Sequence, residues 1–159
     1  MSKYIKPEIN EEMLGVNPFL NSLVVPVNKV QDKDGSRFTQ DGQEWYKADY
    51  EYDADTYCKV FSDATRRKLV SELTPRGKDL LMWVQYEAKK GKDWLWINKE
   101  RYMEECTVAS VTTYRSAVNE LIKKGIIVKT VVTDTFWINP YFLFNGNRIK
   151  AFPDNVKIK

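Results

Sequence analysis

The sequence predicts an α+β fold, and three observations carry that reading. Residues 74–125 hold apolar stripes at helical spacing, separated by helix-stop signals. Apolar, β-prone runs follow or interrupt them: Trp94-Leu95-Trp96-Ile97, Ile126-Ile127-Val128 and Phe136-Trp137-Ile138. Before residue 63 the pattern changes to short strand-like runs broken by turn residues. Helical and strand periodicities thus fall mostly in separate stretches, as in α+β chains.

Residues 1–20 read as irregular, because Pro7, Gly15 and Pro18 interrupt any long helix, with room for a short one over Glu8–Leu14. Leu23–Val27 has strand character. Pro26 cannot donate to a ladder, which assigns that strand to an edge. Lys33-Asp34-Gly35-Ser36 and Asp41-Gly42 are turn signals, and Glu44–Tyr52 and Tyr57–Phe61 read as strands. Residues 1–63 are therefore expected to form a small antiparallel β extension. Residues 64–159 form the main domain and its C-terminal tail.

That domain opens on Ser62-Asp63-Ala64-Thr65, the start of a helix through Leu73. Thr74 offers an N-cap and Pro75 the first helical position, where its missing N–H costs nothing. Leu80, Leu81, Val84 and Ala88 make the apolar stripe of the next helix, and Lys89-Lys90-Gly91 is its expected end. Asn98 caps a helix over Lys99–Cys106, Thr107-Val108-Ala109 supplies a turn, and Ser110 caps a helix that stops at Lys124-Gly125. Its buried side is Tyr114, Val118, Leu121 and Ile122. A hairpin with its tip at Thr133-Asp134-Thr135 follows. Two helices across a tight turn and then a hairpin make a winged helix-turn-helix.

Composition narrows the chemistry. The chain has 159 residues, 43% of them apolar and 13% aromatic, enough for one packed domain. No run of about 18 apolar residues suggests a membrane span, and Met1–Glu8 lacks a secretory apolar segment, so a cytoplasmic protein is expected. Cys58 and Cys106 have no metal-ligand spacing and read as free, buried thiols. The chain contains no histidine. No Ser-His-Asp or Cys-His nucleophile and no histidine zinc site can be assembled. The histidine pair with which rolling-circle nickases commonly hold metal is missing too. Gly77-Lys78 runs into Asp79 with no glycine five residues earlier, so no Walker A motif exists. No catalytic residue, metal or cofactor is assigned. Binding remains.

Asp49, Glu51, Asp53 and Asp55 alternate with Tyr50, Tyr52, Ala54 and Thr56. On a strand the carboxylates share one face, but neighbours there stand roughly 7 Å apart, too far for several to grip one cation. The preferred reading is a solvated strand face that also deters edge pairing.

Charge is unevenly distributed. Up to Asp63 there are 7 basic and 12 acidic residues, whereas the remainder has 18 and 10. The positive excess lies with the helix-turn-helix and suits a polyanion partner. Subtracting the buried side of the Ser110–Lys124 helix leaves Thr112, Thr113, Arg115, Ser116 and Asn119 for the groove, with Ser110 at the helix start. Arg can address guanine, Asn adenine, and Ser or Thr either base edges or phosphates. Lys99, Arg101, Lys123 and Lys129 are the expected backbone contacts. The acidic hairpin tip argues against insertion of the wing into the minor groove.

From Tyr57 to Phe152 the chain resembles the firmicute plasmid replication protein family, RepL. The telling segment is Trp137-Ile138-Asn139-Pro140-Tyr141-Phe142-Leu143-Phe144-Asn145-Gly146-Asn147-Arg148, a strand ending in Asn-Pro, bulky apolar residues and a polar glycine turn. The helix end Leu121-Ile122-Lys123-Lys124-Gly125-Ile126-Ile127 fits as well. The resemblance implies a plasmid or phage replication initiator that binds origin DNA and helps to load host replication proteins without cutting DNA. Physically, Asn139-Pro140 should end a wing strand and Tyr141–Phe144 fold back as an aromatic plug. Arg148 and Lys150 would add positive charge near the tail. A transcriptional regulator of the same architecture and a protein-protein adaptor are the alternatives. A homodimer through the N-terminal extension is left open.

Overall fold

The computed structural model describes residues 6–27, 37–40, 43–46, 58–60 and 63–158. The fold is α+β. In chain order its strands and helices are β1 (Val25–Val27), β2 (Arg37–Gln40), β3 (Gln43–Tyr46), β4 (Cys58–Val60), α1 (Ala64–Ser71), α2 (Pro75–Glu87), β5 (Trp94–Trp96), α3 (Lys99–Glu105), α4 (Val111–Lys123), β6 (Ile127–Lys129), β7 (Thr135–Ile138), β8 (Leu143–Asn145), α5 (Arg148–Ala151) and β9 (Val156–Ile158). Short 3-10 turns cover Glu11–Leu14, Pro18–Asn21 and Pro153–Asn155.

All five helices begin where a short polar side chain takes an orphan N–H, with Asn147 serving α5. Asp63 accepts from Arg66 N, Thr74 from Gly77 N, Asn98 from Arg101 N and Ser110 from Thr113 N. These caps are local, and the starts of α1 to α4 match the sequence reading. The end of α2 does not. The helix stops at Glu87, with Ala88 already extended, and Gly91 lies in the connection beyond. A tertiary tie replaces the expected glycine cap: Asn145 Nδ2 donates to Ala88 O at 2.8 Å, and Gly91 N donates to Asn145 O at 2.7 Å.

The principal sheet is antiparallel in the order β5-β7-β6, with Leu95 opposite Phe136 and Ile127 opposite Ile138. All four residues of β7 are buried, because both faces of the sheet are covered. One face meets the main core, where Leu80, Val84, Ile97, Tyr102, Leu121, Ile126 and Ile138 are essentially inaccessible. Against the other, Trp94 and Trp137 pack with Leu14, bordered by Ile9 and Phe19. Asn17 fixes that N-terminal segment, donating to Ile138 O and to Asp93 Oδ2, both at 2.9 Å.

The N-terminal third differs from the single antiparallel extension expected. Among its described residues, only β2 and β3 form a hairpin of their own. β1 pairs in parallel with β9, Val25 opposite Val156, and β4 pairs antiparallel with β8, Val60 opposite Leu143. Residues before 63 therefore complete sheets with the C-terminal tail. Pro26 does lie on a two-stranded edge. The turns at Lys33–Ser36 and Asp41–Gly42, the end of the expected 44–52 strand and the acidic alternation at residues 49–56 lie outside the described residues.

After β7, Asn139 holds the chain turn. Its Nδ2 donates to Gly125 O at 2.8 Å and its Oδ1 accepts from Tyr141 N at 3.0 Å. Phe142 and Leu143 enter the main core, whereas Phe144 joins Leu23, Val25 and Phe152 in a second cluster. The expected aromatic plug is thus split between two cores and paired as β8. Arg148 is buried and donates to Pro140 O at 3.1 Å, so it is an internal strut and not a tail cation.

Candidate nucleic-acid interface

The turn between α3 and α4 fixes the surface. Thr107 sits there at φ 52°, a region that strains a β-branched residue. Arg76 of α2 reaches across to it, donating to Cys106 O at 3.0 Å and to Thr107 O at 3.4 Å. Sequence reasoning passed over Arg76, since nothing local marks a residue in the first turn of one helix as the staple of a distant turn.

α4 turns Tyr114, Ala117, Val118 and Leu121 into the core. Thr112, Arg115, Ser116, Asn119 and Lys123 are exposed, and none of these side chains hydrogen-bonds or ion-pairs with another described residue. Thr113 is half-buried, its hydroxyl 2.9 Å from that of Ser110, so those two hydroxyls close the helix start on each other. Glu120, the acidic residue of α4, bends away to α2. Its carboxylate accepts from Thr74 N at 2.7 Å and from Thr74 Oγ1 at 2.6 Å.

Of the expected contacts, all but Ser110 and Lys123 fall into three places. Lys99, Arg115, Asn119 and Lys129 line one groove of about 210 Å³, together with Tyr114 and Asp134. Thr112, Thr113 and Ser116 line another, of about 430 Å³, beside Thr74, Arg76 and Glu120. Arg101 belongs to neither. Its guanidinium bridges Glu87 at 2.9 Å and Glu105 at 2.7 Å, with Trp83 5.7 Å away. Its two carboxylates stabilise the charged form, and Arg101 in turn holds the Glu105 carboxyl below the usual range. This side chain ties α2 to α3 and is engaged with two carboxylates, unlike the other expected contacts.

Among the other cations, Lys99 is half-buried and 3.6 Å from Glu100, and Lys129 is exposed at the end of β6. Lys124 pairs with Glu72 at 2.7 Å, leaving Lys123 as the open charge at the end of α4. Behind the surface, Tyr102 lies between Trp83, met edge-on, and the tilted ring of Tyr114, with ring centroids 5.6 and 5.7 Å away. The hydroxyls of Tyr102 and Tyr114 are buried without a partner among the described residues. Burial pushes the Tyr102 phenol up to about 12 and that of Tyr114 higher still. Cys106 is free and half-buried, its thiol raised by burial.

Among the described residues no group of three or more acidic, Cys or His side chains could hold a metal. No helix there is long and apolar enough to cross a membrane. The chain is 30% identical over 164 aligned positions to the 20.9 kDa protein of Zymomonas mobilis subsp. mobilis, an alignment that spans 90% of this chain and 87% of the relative. No family model and no solved structure matches it.

Proposed function

We infer that this chain, which belongs to the family of the Zymomonas mobilis 20.9 kDa protein, is a winged helix-turn-helix protein that binds duplex DNA through α4. We assign it to the initiation of plasmid or phage DNA replication, with no nickase or ATPase of its own. The observation that carries the DNA reading is the outer side of α4. Thr112, Arg115, Ser116, Asn119 and Lys123 stand exposed and unengaged there, while Glu120 is turned onto Thr74. Arg115 and Asn119 have the donor patterns that read guanine and adenine edges, and Thr112 and Ser116 can take either bases or phosphates. Lys99, Lys123 and Lys129 supply charge for the backbone. The order α2, β5, α3, α4 and the β6–β7 hairpin supports the winged-helix assignment.

The hairpin turn carries Asp134, at φ 56°, which lines the same groove as Arg115 and Lys129. A carboxylate there repels phosphate, so the reading rests on α4 and gives the hairpin a supporting role. The replication role rests on the resemblance of residues 137–148 to plasmid replication proteins. Footprinting on the native replicon tests it. Protection inside the replication origin, lost in Arg115→Ala/Asn119→Ala, is expected. Protection confined to a promoter would make the protein a regulator instead.

A further inference from the structure

A cavity of about 440 Å³ lies between the N-terminal segment and β5. That is the size of a small-molecule site, and it shares no residue with either groove beside α4. Alternation along β5 shapes one wall. Leu95 enters the main core, whereas Trp94 and Trp96 belong to the opposite face and line the cavity, Trp94 buried and Trp96 half-buried.

Asn98 lines the same cavity and is only 8% exposed. Its Oδ1 caps α3 by accepting from Arg101 N at 2.8 Å. That bond fixes which way the amide points and leaves Nδ2, a donor, as its other end. Among the described residues Nδ2 has no hydrogen-bond partner, and it is not sealed from solvent. Charge around the cavity is positive. Four basic side chains, Lys6, Lys89, Lys92 and Arg101, meet three acidic ones, Glu8, Glu11 and Glu87. Lys92 pairs with Glu11 at 2.6 Å and Arg101 with Glu87 at 2.9 Å. Lys6, 5.4 Å from the centre of the Trp94 ring, and Lys89 are left against Glu8.

We propose that this cavity binds a nucleotide, with the base on Trp96, a base acceptor on Asn98 Nδ2 and the phosphate near Lys6 and Lys89. Each part of the wall selects one part of the ligand. An indole stacks on any base. A buried amide donor calls for an acceptor, since a purely apolar ligand would leave it unmet. The excess lysines favour an anion over an amine. A free nucleotide and one unit of a single strand offer the same chemistry. The site stands whether or not α4 meets duplex DNA.

The test is titration of the full chain with dAMP, dGMP, dCMP and dTMP, followed by the NMR signals of the Asn98 side-chain amide and the Trp96 indole N–H. At least one nucleotide is expected to shift both signals and to saturate with a Kd between about 10 µM and 1 mM. Asn98→Asp keeps the helix cap but replaces the donor with a charged acceptor. It should melt like the parent and bind about tenfold more weakly or worse. Lys89→Glu, at an exposed position, should weaken binding about threefold or more. Arg115→Ala/Asn119→Ala should bind nucleotides as the parent does. An oligo-dT octamer titrated into that variant separates the two sources: affinity above that of dTMP identifies a single strand, and equal or lower affinity a free nucleotide. The proposal is overturned by no saturation with any of the four, by inorganic phosphate binding as tightly as the best of them, or by Asn98→Asp or Lys89→Glu binding like the parent. Loss of binding in Arg115→Ala/Asn119→Ala would overturn it too, by moving the nucleotide to α4.

Discussion

Glu120 of α4 takes both hydrogens that Thr74 offers at the start of α2, at 2.7 Å from the backbone nitrogen and 2.6 Å from the hydroxyl. Thr74 Oγ1 in turn accepts from Gly77 N at 3.1 Å. A carboxylate from one helix therefore sits at the positive end of another. A side chain at Gly77 would overlap that carboxylate, so glycine makes the room.

Glu120→Ala should lower stability by about 1–2 kcal/mol in urea melts, through loss of an interhelical cap. DNA affinity should be unchanged or tighter, since a negative charge leaves α4. Gly77→Ala should cost stability in the parent, where it displaces Glu120. In the Glu120→Ala background it should gain up to about 1 kcal/mol of helix propensity. A loss in both backgrounds would show that Glu120 is not what the glycine accommodates.

Arg66 should matter through stacking. Its guanidinium lies 3.6 Å from the centre of the Tyr141 ring and 3.5 Å from Asp63, whose carboxylate also accepts from the Tyr141 hydroxyl at 3.2 Å and from Arg66 N at 2.8 Å. Arg66→Ala is expected to cost about 1–3 kcal/mol, and Arg66→Lys should not restore it, because an ammonium lacks the planar face. The Asp63 carboxyl is held below its ordinary range, chiefly by the Arg66 backbone N–H and then by the Arg66 charge. That contribution is present at neutral pH and lost as pH falls through the folded-state value. Asp63→Asn should flatten the acid limb of stability against pH.

Alkaline pH should unfold the core. Tyr102 has its phenol pushed up to about 12 by burial. Below the ordinary phenol value of about 10 both states are protonated, and between about 10 and 12 only the unfolded chain ionises, so stability falls by roughly 2–3 kcal/mol over that window. Tyr114, raised in the same direction, steepens the fall. Tyr102→Phe/Tyr114→Phe should abolish it and be neutral or stabilising at pH 7, because the hydroxyls have no partner among the described residues. A double variant that keeps the alkaline transition would trace it to other groups.

Arg101 and Arg115 should separate cleanly. Arg101→Ala breaks the pairs with Glu87 and Glu105 and should cost no more than about 1 kcal/mol, being about a third exposed, with DNA affinity little changed. Arg115→Ala should leave the melting curve alone and weaken DNA binding about tenfold or more. The reverse pattern would move the interface from α4 to the α2–α3 side.

What the sequence could show here follows from the range of each interaction. The caps at Asp63, Thr74, Asn98 and Ser110 bond within three residues, so residue type and spacing suffice to place them. On α4, periodicity alone gave the exposed Thr112, Arg115, Ser116, Asn119 and Lys123, but also placed outside Thr113, which is half-buried against Ser110. The pairings of β1 with β9 and β4 with β8 join three-residue strands far apart in the chain, and no alternation that short specifies a partner. The burial of Arg148 beneath Pro140, eight residues back, and the Glu87 half of the Arg101 bridge depend on how the chain turns between the partners, which residue spacing does not give. Glu105, four residues from Arg101 on one helix, was within reach of a helical spacing argument. Gly91 misled because a stop signal shows where a helix must have ended, while Asn145 decides where it does.

The most direct test of the central claim is the salt dependence of binding to a duplex, measured by fluorescence anisotropy. If α4 meets DNA with Lys99, Lys123, Lys129 and Arg115 near the phosphates, neutralising about four of them, the slope of log K against log salt should lie near −3 to −4. Lys123→Ala should reduce it by about one. A flat response, with Arg115→Ala/Asn119→Ala indistinguishable from the parent, would contradict DNA binding by this surface.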